Sequence, residues 1–507
     1  MASLVSRDTS GVLQAQDGER EDLRTRSAKR FLVQTFPDGR KQYRVGATIG
    51  PVHYKTDPFD ATEDWKEIDL TIRPAGKGKG WQYEVTDNGY QVRIWQRYMM
   101  PWHYTAEFRR AGEWVRMAPV ELRYTNAAGK QQTIAKPAKG LTPVIDNDAY
   151  TVTWQDCFGK GLHFRYNISP DAFCKTVVID APAALPATTI GSEGLRVEIV
   201  MALSWSGQAG NGFGKGRDLS VLRGPEDAEE ERSHRYGKHP HLMQDGLAAL
   251  WMAEPRAWDA EGETLPMDWG LERKGRRVYG AFGVKVADLA GAAWPVAIDT
   301  AITEEQIAAT ENDVYGSGIN YPYGADNPTS YNYVSIGKGG NIYYSGFWLY
   351  TTVPIPAAAT IDSAAMTLTA QAADTVATAA LTVAAEAADN PVAVNSTTHK
   401  PSAVCSALTT ATAPWSARTW SAANVAYNTP SLATVVKELV DREGWVSGNS
   451  ILFAITAANT STADRRRPYD WGYSNAKGAK FNCTYTEGTP TPTGNPIWYY
   501  NMLRRAN

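Results

Sequence analysis

Short runs of alternating apolar and polar residues fill most of the chain from Phe31 onward. Turn-forming residues, such as those at Pro37, Asp38 and Gly39, separate one run from the next. Alternation with a period of two is typical of a half-buried β-strand. One such strand about every 8 to 12 residues is the pattern of a β-sandwich or barrel. The sequence therefore predicts an all-β fold.

The clearest single element is a hairpin in the segment YEVTDNGYQVRI, which contains Asn88 and Gly89. An Asn-Gly pair between two alternating runs favours a two-residue type I′ turn, because both residues tolerate a positive φ. We therefore predict two antiparallel strands that are joined at this pair.

One segment near the end has a helical period instead. The phrase TVVKELVDREGWVSGNSILF begins at Thr434, and Gly444 stands where a helix is expected to stop. Apolar residues at helical spacing predict one short helix that packs on the sandwich and turns its charges to solvent. The predicted buried face consists of Val435, Val436, Leu439 and Val440.

Changes in this pattern divide the chain. Residues 1–30 are polar and charge-mixed and predict an N-terminal arm. Residues 31–300 predict an N-terminal β-sandwich or barrel-like module, with a charged, Gly-rich insertion at about 205–245. Residues 301–487 predict a C-terminal β-sandwich that contains the helix. Residues 488–507 are a Pro/Thr linker followed by an aromatic tail.

Composition limits the classes of function. The 507 residues carry a net charge of −3, whereas nucleic-acid-binding proteins usually show a basic patch, so we expect no nucleic-acid partner. The first residues lack the apolar core of a secretory signal, and no run approaches ~18 apolar residues, so no membrane span is expected. The four cysteines form no CxxC pair and are expected to be free.

Several phrases stand in the order of a known domain. GPVHYKTD…EDWKEIDLTI and WMAEPRAWDAEGE…WPVAIDTAI are similar to the first and last strands of the N-terminal β module in large extracellular and wall-associated proteins. The C-terminal half resembles the DNRLRE-type β-sandwich of those proteins, which implies a jelly-roll-like fold. The phrases that carry this resemblance are NDVYGSGINYPYGADNPTSYNYVSIG, SGFWLYTTVPIPAAATIDSAAMTLTA, VVKELVDREGWVSGNSILFAI and DRRRPYDWGYSNAKGAKFNCTY.

The chain also departs from that family. The phrase that names the family is absent, and Phe481 stands in the region where the family has Pro-x-Leu. An architecture of this kind without a secretion signal resembles virion proteins of tailed bacteriophages, which assemble in the host cytoplasm. The resemblance implies a virion location and other virion proteins as partners.

Two groups of residues are candidate metal ligands. His234, His239 and His241 lie close together in HRYGKHPH, and imidazoles can hold Zn²⁺. Asp313 and Asp326 offer oxygens for a structural Ca²⁺. Neither spacing matches a standard metal signature, and a solvated charged loop is the simpler interpretation of the histidines. We therefore predict no cofactor, with a structural Ca²⁺ as the alternative.

Aromatic residues of the C-terminal half are the candidates for ligand binding. The chain has 17 Trp and 25 Tyr against 12 Phe. Sugars stack on aromatic rings while a few placed polar groups bind their hydroxyls. The alternative is that these rings cover a sheet, since β-sheets use many aromatics. The candidate glycan-binding residues are Tyr321, Tyr323, Arg465, Arg466, Tyr469, Trp471 and Tyr473.

The tail NPIWYYNMLRRAN carries too much apolar area to remain uncovered. It could dock on its own domain or on a neighbouring subunit, and we favour the subunit, which predicts a homo-oligomer or a larger assembly. The expected anchors are Ile497, Trp498, Tyr499, Tyr500, Met502 and Leu503.

No catalytic motif is visible in the sequence. G-x-S-x-G, H-E-x-x-H and a phosphate-binding glycine loop are all missing, which favours a non-enzymatic protein. The leading hypothesis is a virion structural protein (capsid decoration, fibre or tail component) that binds neighbouring subunits and could also bind host-surface glycans. The alternatives are a carbohydrate-active depolymerase with a sugar-binding accessory module and a bacterial surface adhesin.

Overall fold

The computed structural model describes most of the chain. The described residues are 10–57, 60, 62–95, 104–206, 219–220, 241–244, 247–252, 255–261, 264–274, 277–303, 312–319, 328, 333–457, 465–472, 474 and 476–487. In this part of the chain, no helix is long and apolar enough to cross a membrane.

The fold is all-β, as predicted. The strands before residue 50 are β1 (Arg20–Arg24), β2 (Ala28–Thr35) and β3 (Lys41–Thr48). The next strands are β4 (His53–Tyr54), β5 (Lys66–Glu67), β6 (Arg73–Pro74), β7 (Tyr83–Val85), β8 (Gln91–Ile94), β9 (Ala106–Arg110), β10 (Glu113–Thr125), β11 (Gln131–Ala135), β12 (Val144–Asp146), β13 (Thr151–Trp154), β14 (Leu162–Ile168), β15 (Ala172–Ile179), β16 (Arg196–Trp205), β17 (Leu219–Ser220), β18 (His241–Gln244), β19 (Leu247–Met252), β20 (Arg256–Trp258), β21 (Thr264–Leu265), β22 (Met267–Lys274), β23 (Arg277–Lys285) and β24 (Val296–Thr303).

The remaining elements follow residue 312. The strands are β25 (Asp313–Gly318), β26 (Ile336–Gly339), β27 (Ile342–Tyr350), β28 (Thr360–Thr369), β29 (Asp374–Ala385), β30 (Ala413–Trp420), β31 (Ala426–Asn428), β32 (Ile451–Ala457), β33 (Arg465–Arg466) and β34 (Lys480–Thr486). The helices are α1 (Pro401–Ser406) and α2 (Ala433–Val440), and short 3-10 turns lie at Pro182–Ala184 and Asp288–Gly291.

The chain divides into two compact units. Unit 1 contains the described residues of Gly50–Glu311 and of Trp471–Ala476. Unit 2 contains the described residues of Asp8–Ile49, Asn312–Asp470 and Lys477–Asn507. In chain order, most of unit 1 therefore lies between β3 and β25 of unit 2, and a short second segment lies between β33 and β34.

Unit 1 is built from two antiparallel sheets. One has nine described strands in the order β22-β23-β16-β10-β9-β8-β7-β6, with β11 beside β10. The other has ten, in the order β12-β13-β14-β15-β24-β19-β18-β17, with β20 and β21 attached at β24. A small pair, β4 and β5, completes the strands of this unit.

Aromatic rings join the two sheets of unit 1 into a sandwich. Phe108 of β9 lies 6.4 Å, between ring centroids, from Phe173 of β15. Tyr90 stacks on Phe108 at 4.5 Å, and Tyr166 stacks on Phe173 at 4.9 Å. Val, Ile, Leu and Met residues from both sheets complete this core. Buried rings contribute both large apolar area and ring–ring attraction, so this stack is the centre of the unit.

Lys175 lies in β15 on the side of the strand that faces this core. Phe173 and Val177, two residues away on either side, both belong to the core, and side chains two apart share a face. Its Nζ has no hydrogen-bond partner among the described residues. Burial lowers the pKa of Lys175 from 10.5 to about 8, although Asp299 and Cys174 oppose the shift. An ammonium group without a hydrogen bond is therefore held in the interior at neutral pH.

We expect Lys175→Met to raise the free energy of unfolding of unit 1 at pH 7 by about 3 kcal/mol, from 1.36 kcal/mol per pKa unit. Below pH 8 Lys175 is protonated in both the folded and the unfolded state, and the wild type bears the full cost of burying its charge. Between pH 8 and 10.5 Lys175 is neutral in the folded state but still protonated in the unfolded state. The stability of the wild type therefore rises over this range, and the cost of burial is lost. Denaturant unfolding at pH 7, 9 and 10.5 should show the two proteins converging, and a constant gap would contradict the assignment.

Unit 2 is also a sandwich, and the start of the chain supplies part of it. One sheet has the order β1-β2-β3-β34-β28-β31. The other has the order β30-β29-β32-β27-β26-β33, with β25 beside β27. Tyr350 and Phe453 of the second sheet contact Phe481 of the first at 5.6 and 5.2 Å between ring centroids.

The predicted domain boundaries are therefore wrong in two places. Residues 1–30 were expected to be an arm, but β1 and the start of β2 are paired strands, and β3 pairs with β34 from Gln42↔Thr486 to Thr48↔Lys480. The boundary at 300 and 301 falls inside β24. Alternation identifies a strand but not its partner, because partners in a sheet can be hundreds of residues apart. Most of the predicted insertion at 205–245 lies outside the described residues.

The predicted helix is confirmed as α2. Val435, Val436, Leu439 and Val440 are all buried, as their spacing indicated. The amide of Leu432, just before the helix, donates to the carbonyl of Ala364 in β28 at 2.7 Å, and so attaches the helix to that strand. A second helix, α1, was not expected, and its Val404 packs with Phe347 and Leu349 on β27.

The predicted hairpin is confirmed, but its turn is longer than expected. Val85 and Val92 form the last pair of β7 and β8, so the connection is not a two-residue turn. Asn88 is buried, and its amide donates to the carbonyl of Ser169 at 3.3 Å. A tertiary contact has therefore overridden the local turn preference. None of the four cysteines forms a disulfide, as expected.

Arg44 of β3 is a buried cation with a complete set of partners. Its guanidinium donates to the Glu19 carboxylate at 2.6 Å and to the carbonyls of Val12 and Gln14 at 2.8 and 2.6 Å. It also lies 4.5 Å from the centre of the Phe31 ring. The side chains of Arg44 and Glu19 are only 4% and 6% exposed. A cation that is bonded this fully ties residues 12–19 to the sheet.

Arg44→Ala should destabilise unit 2 by about 3–5 kcal/mol, because it leaves the Glu19 carboxylate buried without its cation. The matched control is Arg40→Ala, which removes an Arg–Asp38 pair whose side chains are 43% and 49% exposed. That change should cost less than about 1 kcal/mol. Thermal and denaturant unfolding measure the loss of stability in each variant. Equal losses would show that burial does not make the Arg44–Glu19 pair more important than the exposed pair.

Candidate functional site

A row of paired charges lies on the outer face of the nine-stranded sheet of unit 1. Val92, Ile94 and Phe108 face the core from β8 and β9. Because side chains alternate along a strand, Arg93 and Glu107 lie on the opposite face. This part of the sheet therefore has one apolar side and one charged side.

Residues of opposite charge stand beside one another across four strands of this face. Glu84 of β7 pairs in register with Arg93 of β8, and Arg93 pairs with Glu107 of β9. Glu107 in turn pairs with Arg116 of β10. Opposite charges directly across neighbouring strands stabilise a sheet, and like charges destabilise it. The alternation of signs thus fixes four side chains in one row.

Glu107 is the centre of this row and contacts three arginines. Its carboxylate is 2.6 Å from Arg116 Nε, 3.0 Å from a terminal nitrogen of Arg93 and 3.5 Å from Arg109 Nε. The Glu107 side chain is only 1% exposed, whereas those of the arginines are 22% to 33% exposed. Burial lowers the pKa of Arg93, and Glu107 opposes that shift. We call these four residues the Glu107 cluster.

Tryptophan rings lie against the arginines of the cluster. The Arg93 guanidinium carbon is 4.0 Å from the centre of the Trp81 ring, and that of Arg116 is 4.4 Å from the centre of Trp114. Trp95 meets Trp81 edge-on at 6.4 Å. All three rings are half-buried. The Glu107 cluster together with Trp81, Trp95, Trp114, Lys79 and Glu84 is the arginine–tryptophan face.

The guanidinium groups of this face are held in place by contacts within the chain. Cation–π contacts and ion pairs hold the guanidinium planes in fixed positions, so little rotamer entropy remains to be lost on binding. Half-buried indole rings offer a flat apolar surface, and guanidinium groups offer several hydrogen-bond donors. A sugar-binding site typically combines an apolar surface with a few fixed hydrogen-bond donors, and this face has both.

The structure places the main sequence-predicted binding residues in the interior. Trp471 is 1% exposed, and a Cβ added at Gly50 would meet its ring at 2.1 Å. Arg466 is 0% exposed and donates to the carbonyls of Ala417 and Arg418 at 3.0 and 2.9 Å. Both side chains are buried in the fold, so neither lies on an exposed glycan-binding surface as the sequence predicted.

Tyr469 is buried as well. It is 8% exposed, and its hydroxyl bonds Asn424 Oδ1 at 2.9 Å. Arg465 is half-buried and lies 5.4 Å from the centre of the Tyr344 ring. Arg465 thus contacts an aromatic ring, whereas Tyr469 is bonded in the interior. Tyr321, Tyr323 and Tyr473 lie outside the described residues.

The remaining candidates are the metal ligands and the tail residues. His234, His239, Asp326 and the tail residues 497–503 lie outside the described residues. His241 falls within β18. Asp313 is fully buried in β25. Within the described ranges, no group of three or more His, Cys, Asp or Glu side chains could hold a metal ion.

The arginine–tryptophan face was missed, although its signal is present in the sequence. In QVRIW the residues Gln91, Arg93 and Trp95 alternate with valine and isoleucine, and in EWVRM the residues Trp114 and Arg116 do the same. Arginine and tryptophan on the polar side of adjacent strands could have indicated a binding face. Only the strand order shows that these segments are neighbours.

The chain was compared with known proteins. No family model and no curated protein matches it. Among solved structures, a Paenibacillus xanthan lyase shares 9% identity at a TM-score of 0.14, and covers 92% of this chain and 55% of its own. The sialidase of Trypanosoma rangeli shares 9% at a TM-score of 0.13, with 93% and 94% covered. The Streptococcus gordonii adhesin Sgo0707 N-terminal domain shares 7% at a TM-score of 0.12, with 93% and 94% covered.

The chain thus spans about half the length of the xanthan lyase. Likeness at these scores assigns neither a family nor an activity, so the function has to be argued from the chain's own residues.

Trp471→Ala should destabilise unit 1 by about 3–5 kcal/mol, because it empties a buried site of tryptophan size. Trp258→Ala is the matched control, since Trp258 is in the same unit and 36% exposed, and it should cost less. Thermal unfolding of both variants measures the difference. Loss of glycan binding by folded Trp471→Ala protein, with unchanged stability, would restore the original assignment.

Proposed function

We propose that this chain is a non-enzymatic structural protein of a virion that attaches to glycans through the arginine–tryptophan face. The observation that carries the glycan part is the Glu107 cluster, in which three arginines converge on one carboxylate beside half-buried tryptophans. Ion pairs and cation–π contacts among these residues hold the side chains in place, which favours ligand binding over catalysis.

The division of the chain supports the structural part of the proposal. The first strands of the chain complete unit 2, and most of unit 1 lies between them and β25. Unfolding that extends through β1 and β2 to β3 must therefore break the β3–β34 pairing in the middle of a sheet. Resistance of this kind suits a particle component that is exposed outside the cell.

The partners in the proposal are neighbouring virion subunits and a glycan of the host surface. The aromatic tail at residues 497–503 is the proposed subunit contact, on the strength of its composition alone. The glycan contact has a geometric basis, and the two contacts can be tested separately.

Trp81→Ala should lower affinity for host-surface polysaccharide by about tenfold, because it removes a stacking ring and frees the guanidinium of Arg93. Glycan-array screening followed by calorimetry measures the loss. Trp258→Ala is the control, because Trp258 lies in β20, which belongs to the other sheet of unit 1. Equal affinity of Trp81→Ala and wild type would remove the face from the proposal.

Two further observations decide the class of protein. Co-purification with intact particles is expected, and its consistent absence from particles would overturn the virion assignment. Incubation with the bound polysaccharide should yield no new reducing ends. Release of oligosaccharides would show that the chain is a depolymerase.

A further inference from the structure

The Glu107 cluster contains more positive than negative charge. Arg93, Arg109 and Arg116 share the single carboxylate of Glu107. Lys79 and Glu84 add one charge of each sign to the face, since the Lys79 Nζ lies 2.7 Å from the Glu84 carboxylate, which also stands in register with Arg93. The surplus of positive charge is therefore confined to the three arginines.

The guanidinium groups of this cluster retain unused donors. Each guanidinium carries five N–H bonds. Within the part of the chain that the structure describes, one terminal N–H of Arg93 and the Nε–H of Arg116 donate hydrogen bonds to the Glu107 carboxylate. Arg109 approaches Glu107 at 3.5 Å. The remaining nitrogens of the three arginines have no acceptor among the described residues, and their side chains are partly exposed.

Tryptophan rings keep these donors in place beside an apolar surface. Trp81 and Trp114 lie against Arg93 and Arg116 at 4.0 and 4.4 Å. A ligand that fits needs an apolar face for the rings and an anionic group for the arginines. Carboxylates match the guanidinium fork in geometry as well as in charge.

A small, local surplus of charge distinguishes between polyanions. Nucleic acid carries a negative charge at every nucleotide, and proteins that bind it usually present an extended basic surface. Here the neighbouring Lys79 is already paired, and the whole chain has a net charge of −3. A sugar ring that bears one carboxylate fits both the tryptophans and the confined surplus.

We propose that the arginine–tryptophan face selects polysaccharides that carry carboxylates, of the uronic-acid class. The sugar rings stack on the half-buried indoles, and the carboxylate accepts hydrogen bonds from the unused donors of Arg93, Arg109 and Arg116. This inference rests on the proposed glycan-binding function and names the class of glycan.

The first test uses the full chain and one polymer in two forms. Polygalacturonate carries a free carboxylate on each sugar, and its methyl ester has the same backbone without that charge. Calorimetry should show at least about tenfold tighter binding of the acid form, because charge-assisted hydrogen bonds are the strong ones. Binding should weaken as salt rises from about 0.05 to 0.2 M, since the arginines are partly exposed.

The second test removes one arginine. Arg109→Gln should lower affinity for polygalacturonate by about tenfold and lower affinity for the methyl ester much less, because the ester offers no charge to the guanidinium. Arg109 is chosen because its contact with Glu107 is the longest of the three, so its loss disturbs the fold least. Arg40→Gln is the control, since Arg40 is an exposed arginine of unit 2 that also lies over an aromatic ring, at 5.5 Å from the centre of Phe36.

The possible results distinguish a preference for carboxylates from glycan binding in general. Equal binding of the acid and ester forms would overturn the preference for carboxylates and leave glycan attachment intact. Binding of neither form, nor of any glycan on an array, would overturn both. Tighter binding of single-stranded DNA than of polygalacturonate would replace the glycan by a nucleic acid. The comparison of acid and ester needs no variant, so it stands even if Arg109→Gln fails to fold.

Discussion

The pairing of β3 with β34 is the constraint on which the architecture depends. It joins residues from Lys41–Thr48 to residues from Lys480–Thr486 in the middle of a six-stranded sheet. Strands so far apart in sequence pair only after a large loop-closure entropy has been lost, and the buried rings around Phe481 offset that loss. In chain order most of unit 1 lies between β3 and β25, and this unit has a sandwich core of its own.

Three buried charged groups differ in their partners and in their access to solvent. Arg44 and Glu19 are enclosed together, with carbonyls satisfying the remaining donors of the arginine. Lys175 is enclosed without a hydrogen bond among the described residues, and its pKa falls accordingly. At the Glu107 cluster the carboxylate is buried while its cations reach solvent. Only the last arrangement leaves polar groups that are fixed in position and still accessible, which is why it is the candidate site.

Local pattern predicted the elements of this chain well. Alternation identified the all-β class, and helical spacing identified α2 with the correct buried residues. The position of the site was missed because aromatic and arginine residues have two uses in a sandwich. Trp471 and Arg466 fill the interior, while Trp81 and Arg93 lie on an outer face. Sequence composition is the same in both cases, and only the strand partners decide which face a side chain occupies.

The chemistry of the face also bears on the proposed setting. A single shallow platform with partly exposed charges gives modest affinity, because solvent screens each ion pair. Many copies on one particle would convert modest sites into firm attachment, since each later contact is made at high effective concentration. Rigid placement matters more in that setting than deep enclosure, because every copy must present the same geometry. A guanidinium held between Glu107 and an indole ring meets this requirement without a bound ligand.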